Sequence, residues 1–95
     1  MRFEWDNQKN RFNRKKHGIS FELAQEVFAD PFCLVIRDES PEDEERFWSI
    51  GRVGTLVILV VVHTIRQEDG EEIIRITSAR KATPRERRSY EEVDS

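Results

Sequence analysis

Apolar residues recur at helical spacing in one segment of this chain, at Phe21, Leu23, Ala24, Val27 and Phe28. Ser20 stands where a helix cap belongs and Asp30-Pro31 where a helix must stop, so a core-facing helix is predicted between them. Ahead of it, Asp6 can cap a helix over 7–17 that Gly18 ends in the left-handed conformation. That first helix is poorly amphipathic: Phe12 is its one large apolar residue, and Lys9, Arg11, Arg14, Lys15 and Lys16 surround it. Phe3 and Trp5 alternate with polar neighbours and predict a short edge strand.

Past Pro31 the period changes from that of helices to that of strands. Strands are predicted over 32–36, 46–50, 56–65 and 73–79, the third being central because Val57, Ile58, Val60, Val61 and Val62 are all β-branched. Segments 51–54 and 67–70 predict hairpin turns, so the last three strands read as an antiparallel meander, and 38–44, with Pro41 inside it, reads as an acidic loop. Thr83 and Glu86 form a capping box with Pro84 at the first helical position of a final helix. The order β-α-α-β-β-β-β-α predicts an α+β fold: a twisted antiparallel sheet with two N-terminal helices packed on one face, a C-terminal helix, and the opposite face free for polar groups. Alternation sets Arg75 and Thr77 opposite Ile74, Ile76 and Ser78, so Arg75 is expected to look away from the apolar layer.

Composition narrows the classes. A length of 95 residues allows a single domain spanning 1–95 with one modest core, and a charged fraction of 37% with 9% aromatics describes a folded domain with a busy surface. Cys33 is alone, which excludes an intrachain disulfide and a thiolate zinc cluster and favours a reducing compartment. The first residues lack the apolar core of a signal peptide, and the run over 56–62 is too short to span a bilayer. A cytoplasmic protein with no membrane partner is expected. The net charge of −3 hides segregation: both ends are basic, while 38–45 and 68–72 are acidic. Between Arg75 and Tyr90, Arg80, Lys81, Arg85, Arg87 and Arg88 outnumber Glu86. Cations in the first turns of a helix oppose its dipole, which suits an anionic partner; the plain alternative pairs Arg87 and Arg88 with Glu91 and Glu92.

The stretches Phe3-Glu4-Trp5-Asp6, Lys16-His17-Gly18-Ile19-Ser20-Phe21, Ala29-Asp30-Pro31, Glu45-Arg46-Phe47, Val60-Val61-Val62-His63-Thr64 and Arg75-Ile76-Thr77-Ser78-Ala79-Arg80-Lys81-Ala82-Thr83 follow one another in an order that resembles the BrnT family of bacterial type II toxins. The resemblance implies a RelE-like compact α+β fold and a ribonuclease activity that halts growth. It also implies neutralisation by a small BrnA-like antitoxin, whose DNA-binding part confines contact with DNA to the complex, and a higher-order toxin-antitoxin assembly. The acidic tail Glu91-Glu92-Val93-Asp94 departs from the family pattern and suggests a shorter last helix.

RNA cleavage without a metal requires deprotonation of a 2′-OH, stabilisation of charge on phosphorus, and protonation of the leaving oxygen. Guanidinium groups serve the second need through paired hydrogen bonds to phosphate. Arg75 and Arg80 are the first choices and Arg46 the third, against the plain reading of surface ion pairs. His63, closing the apolar strand, is the candidate general acid or base, with a hydrogen-bonded structural histidine weighed equally. His17, just before Gly18, reads as a helix-capping residue, and Lys16, Lys81, Arg85 and Arg88 as contacts to the RNA backbone. The two histidines and one cysteine lack metal-ligand spacing, so neither a metal nor another cofactor is expected. Tyr90, Trp5 and Trp48 read as packing residues. A second class remains open: a non-catalytic module that holds RNA or an acidic protein in the same basic groove without cutting.

Overall fold

The computed structural model describes residues 1–39, 45–55 and 57–94. Along them run β1 (Arg2–Glu4), α1 (Asn7–His17), α2 (Phe21–Ala24), a 3₁₀ turn (Gln25–Ala29), β2 (Leu34–Arg37), β3 (Phe47–Val53), β4 (Val57–Glu68), β5 (Glu71–Lys81) and α3 (Pro84–Asp94). The expected α+β class and order of elements hold. Most of the predicted acidic loop over 38–44 lies outside the described residues, as does Leu56 at the head of the predicted central strand.

The sheet order is β1-β5-β4-β3-β2. Strands β2 to β5 pair antiparallel, but β1 lies parallel to β5, with Phe3 beside Ile74 and Glu4 beside Arg75, so the sheet is mixed rather than wholly antiparallel. A hairpin dictates direction only for the strands it joins; helices and the whole meander separate β1 from β5, which leaves a parallel pairing open to it. Asp69 and Gly70 close the β4–β5 hairpin with φ of 52° and 78°, a two-residue turn whose handedness matches strand twist.

Gly51 is not in a turn, as its sequence context predicts, but buried inside β3 opposite Leu59; Gly54 and Thr55 begin the turn. A Cβ on Gly51 would stand 2.8 Å from Cγ1 of Val27 and 3.0 Å from its carbonyl oxygen. The 3₁₀ turn, which is the tightened second half of the predicted core helix, therefore rests directly on the β3 backbone.

Apolar layers form on both sides of the sheet. Phe21, Ala24 and Val27 pack on Leu59, Val61 and Ile76. On the opposite side Tyr90 of α3 packs on Ile50, Ile58 and Val60, so the face expected to be free is covered at one end. The Tyr90 hydroxyl donates to Asp30 Oδ2 at 2.5 Å, and the same carboxylate accepts from the backbone N–H groups of Arg52 and Phe32. Burial opposes the charge on Asp30, but these donors outweigh it and hold the carboxyl below its ordinary range.

His63 belongs to the α2-side layer and is 1% exposed. Its Nε2 lies 2.7 Å from Ser49 Oγ, and its ring meets Phe28 edge-on at 4.9 Å and stacks on Phe47 at 6.0 Å. Desolvation pushes its pKa down to about 4, with the Thr64 backbone pulling more weakly the other way.

Gly51→Ala should destabilise the fold by about 1–3 kcal/mol, because Val27 cannot withdraw without moving the 3₁₀ turn. A urea midpoint equal to that of the parent would show that the contact relaxes freely. His63 should mark the pH dependence of stability. The folded protein excludes a proton that the unfolded chain accepts, so stability falls as pH drops from 6.5 toward 4, by on the order of 3 kcal/mol. Glu4 and Glu86, lowered from 4.5 to about 2, lose their contributions as pH falls from about 4.5 toward 2, overlapping only the lowest part of that window. His63→Gln should flatten the slope above pH 4.5; an unchanged slope in chemical-denaturation curves would assign it to other groups.

Candidate active site

The candidate chemistry sits on β5, and its geometry turns on Thr77. Val62 pairs with Ser78 but His63 with Ile76, which leaves Thr77 as the extra residue of a β-bulge; its hydroxyl donates to the Val62 carbonyl oxygen at 3.1 Å. In an unbroken strand Arg75 and Arg80 point to opposite faces. The extra residue puts them on one: Ile74, Ile76 and Ala79 face α2, whereas Arg75, Ser78 and Arg80 face away. Ser78 is thus moved off the apolar side, where simple alternation places it.

Register carries the arrangement across the sheet. Arg75 lies opposite Thr64, and Arg46, one residue ahead of β3, falls level with Thr64 because Phe47 pairs with His63. At ordinary strand spacing the backbones of Arg46 and Arg75 are about 10 Å apart. The next row holds Trp48, Val62 and Ser78, and the one after it Ile50, Val60 and Arg80, where Tyr90 covers it. Arg46, Arg75 and Arg80 therefore border a half-buried floor of Trp48, Val62 and Ser78. His63 lies across the sheet from them, with Leu59 and Val61.

Each of these arginines meets a carboxylate. Arg75 Nη1 donates to Glu4 Oε2 at 2.9 Å, and Arg66 grips the same carboxylate through bonds of 2.7 and 3.0 Å. The hydrogen bonds from Arg66 and Arg75 lower Glu4 to about 2. Arg80 holds Glu86 through bonds of 2.7 and 2.9 Å and lies 5.9 Å from the Trp48 ring centre. Glu86 also completes the capping box: its Oε1 accepts from the Thr83 N–H and its own N–H donates to Thr83 Oγ1. The Arg80 bonds lower Glu86 to about 2 as well. Arg46 Nη2 stands 3.2 Å from Asp38 Oδ2. Arg75 gives Glu4 only one of its N–H donors, whereas Arg80 commits both Nη atoms to Glu86.

Beside β5, α1 walls a groove of about 520 Å³ lined by Lys9, Phe12, Lys16 and His17 of the helix and by Thr77 and Ser78 of the strand. Ser78 belongs to both groove and floor. Lys16 is exposed in this groove, Lys81 at the end of β5, and Arg85 and Arg88 on α3, so the predicted backbone contacts stand on three elements. Sequence reasoning passes over Phe12 and Ser78 and gives His17 only a capping role, yet His17 is exposed and lines the groove between α1 and β5. The available signal was a lone aromatic on a helix with no apolar face. Among the described residues no three His, Cys, Asp or Glu side chains gather as a metal site, and no described helix is long and apolar enough to cross a membrane.

A family model described as the ribonuclease toxin BrnT of type II toxin-antitoxin systems matches residues 5–86. No curated protein matches the chain. Among solved structures, the 1.1 Å crystal structure of the Brucella abortus ribonuclease toxin BrnT is similar, at 27% identity and a TM-score of 0.66, over 87% of this chain and 97% of that one. The matched span runs from α1 to the first turn of α3 and takes in Arg46, the bulge, Arg75 and Arg80. The chain belongs to the BrnT family of ribonuclease toxins of type II toxin-antitoxin systems.

Proposed function

We propose that the chain is a metal-independent endoribonuclease whose chemistry takes place on the sheet face bordered by Arg46, Arg75 and Arg80. The observation that supports this most is the Thr77 bulge, which turns arginines of β5 onto the same open floor as Arg46. In such cleavage the substrate's 2′-oxygen forms a bond to the adjacent phosphorus as the bond to the 5′-oxygen breaks. The products are a 2′,3′-cyclic phosphate and a 5′-hydroxyl. One proton leaves the 2′-OH and one reaches the departing oxygen.

Arg75 takes the leading part in stabilising the phosphorane, because its remaining N–H donors can reach a phosphate while Glu4 keeps it oriented. Arg80, drawn from Glu86 by a competing phosphate, and Arg46 complete the cationic border. Proton transfer is assigned to His17 rather than to His63. His17 is exposed in the groove that Ser78 also lines, whereas His63 is sealed among Phe28, Phe47 and Ser49 and serves the core. Lys16, Lys81, Arg85 and Arg88 hold the RNA backbone.

Family membership implies an RNA substrate and an antitoxin. In this reading the antitoxin is of the BrnA type, covers the arginine face, and loses affinity as salt rises. DNA is met only through the complex, which joins into a higher-order assembly in the cytoplasm, and residues 1–95 act as a single toxin domain.

RNA incubated with the purified protein in EDTA should be cut, leaving 2′,3′-cyclic or 3′-phosphate ends. Tight binding without cleavage would favour the non-catalytic module, and 3′-hydroxyl ends would exclude attack by the 2′-OH. Arg75→Ala should lower kcat by about a hundredfold with KM little changed, whereas joint Arg85→Ala and Arg88→Ala should raise KM, flatten the salt dependence and spare kcat. Equal loss of kcat in both, with parent-like thermal melting, would sink that division of labour. His17→Gln should lower kcat with parent-like folding; parent-level kcat in that variant, with its loss in a folded His63 variant, would return the role to His63.

A further inference from the structure

α1 carries its one large apolar side chain on the outside. Phe12 is 65% exposed, while the buried positions of the helix are Asn10 and Asn13. Asn13 Nδ2 donates to the carbonyl oxygens of Ile19 and Ala79 at 2.8 Å each, and its Oδ1 accepts from the Ala79 N–H at 3.2 Å. Asn10 Oδ1 accepts from the Phe21 N–H, and its Nδ2 donates to Glu22. Amide hydrogen bonds therefore dock the helix, and the phenyl ring forgoes the burial that would otherwise stabilise it.

Phe12 stands as a ridge between two cationic grooves. One is the groove shared with β5, lined by Lys9, Lys16 and His17; the other, of about 630 Å³, is lined by Arg11, Arg14, Lys15 and Gly18. Lys16 Nζ lies 5.9 Å from the ring centre. Unlike Arg46, Arg75 and Arg80, the cations Arg11, Lys15 and Lys16 form no ion pair among the described residues. An exposed aromatic face between uncompensated cations matches a single nucleic-acid strand, which offers unstacked bases at intervals along a chain of phosphates. A duplex keeps its bases stacked and offers the ring no face.

We propose that α1 is the surface on which this toxin first holds a strand, ahead of the backbone contacts on β5 and α3: Phe12 stacks on a base of single-stranded RNA, with flanking phosphates taken by Arg11 and Lys15 on one side and Lys9 and Lys16 on the other. This rests on the ribonuclease reading above and adds where the strand is held. The groove on the Lys16 side reaches Ser78, so a strand anchored on Phe12 is led onto the floor between Arg75 and Arg80.

The test uses a fluorescent 2′-O-methyl oligonucleotide of mixed sequence, which cannot be cleaved by its own 2′-oxygen, bound to the full chain over a range of salt. Phe12→Ala should weaken binding by about 5- to 100-fold with an unchanged salt slope, because the cations remain. Phe12→Trp should bind at least as tightly as the parent, and Phe12→Leu should stay weak because it supplies apolar area without a π face. Lys15→Gln with Lys16→Gln should flatten the salt slope. Thermal melting should be parent-like for the Phe12 variants. Parent-level affinity in Phe12→Ala or in Phe12→Leu overturns the proposal, as does a Phe12→Ala protein that binds the oligonucleotide normally but loses its antitoxin. A parent that binds through Phe12 yet cuts no RNA in EDTA defeats the ribonuclease reading alone.

Discussion

What the sheet presents to a substrate depends on one extra residue, Thr77. A bulge disrupts the ladder locally, and here the Thr77 hydroxyl bonded to the Val62 carbonyl offsets part of that loss. Were Thr77 paired in register instead of bulged, every side chain after Ile76 would exchange faces: Ala79 would leave the α2-side core, and Arg80 would enter it. With the bulge, Arg80 lies over Trp48 and reaches Glu86, and the chain leaves β5 toward the side on which α3 and Tyr90 pack. One backbone irregularity thus sets both the arginine pair and the layer to which the last helix belongs.

The outer edge of β5 poses a second constraint. β1 pairs with it only from Ile73 to Arg75, so farther along no strand among the described residues satisfies that edge. Asn13 stands in for one, pairing with both the N–H and the carbonyl of Ala79. Losing that amide would leave buried backbone groups unsatisfied at a cost of about 1–3 kcal/mol each. Because polar contacts fix α1, its sequence need not supply an apolar stripe. Its outer surface is released for cations and an exposed ring.

Those features legible in the sequence act over a few residues. The caps at Asp6, Gly18 and Ser20 and the Thr83–Glu86 box are found where the pattern puts them, because their hydrogen bonds close within one turn. Features set by distant pairing were not legible. The run over 57–62 is apolar at every position, with Leu59 and Val61 under α2 and Ile58 and Val60 under Tyr90 of α3, so nothing in it tells on which side His63 falls. Gly51 resembles a turn glycine beside Gly54, and only the approach of Val27 explains it. Arg46, Arg75 and Arg80 were recognisable as residue types for phosphate chemistry. Their common face was not, since plain alternation separates the last two, and Thr77-Ser78 carries no signature of a bulge.

Charge pairing divides the cations into two populations with different physics. Glu4, Glu86 and Asp38 neutralise the arginines of the sheet face, which therefore contribute little to the field a distant polyanion meets. The field of α1 is not cancelled in this way, and at physiological salt it extends roughly 8 Å before screening dominates. On the proposed reading, capture of a strand begins at α1. At contact, in the proposed reaction, the pairing acts differently on the two arginines: Glu4 leaves Arg75 with oriented N–H donors for an arriving phosphate, whereas Arg80 must first exchange Glu86 for it. An acidic segment of an antitoxin can occupy the same donors by the same exchange. On the proposed division, an acidic chain acts on RNA by keeping its compensated cations where charge must be placed with accuracy and its uncompensated ones where it must be felt from afar.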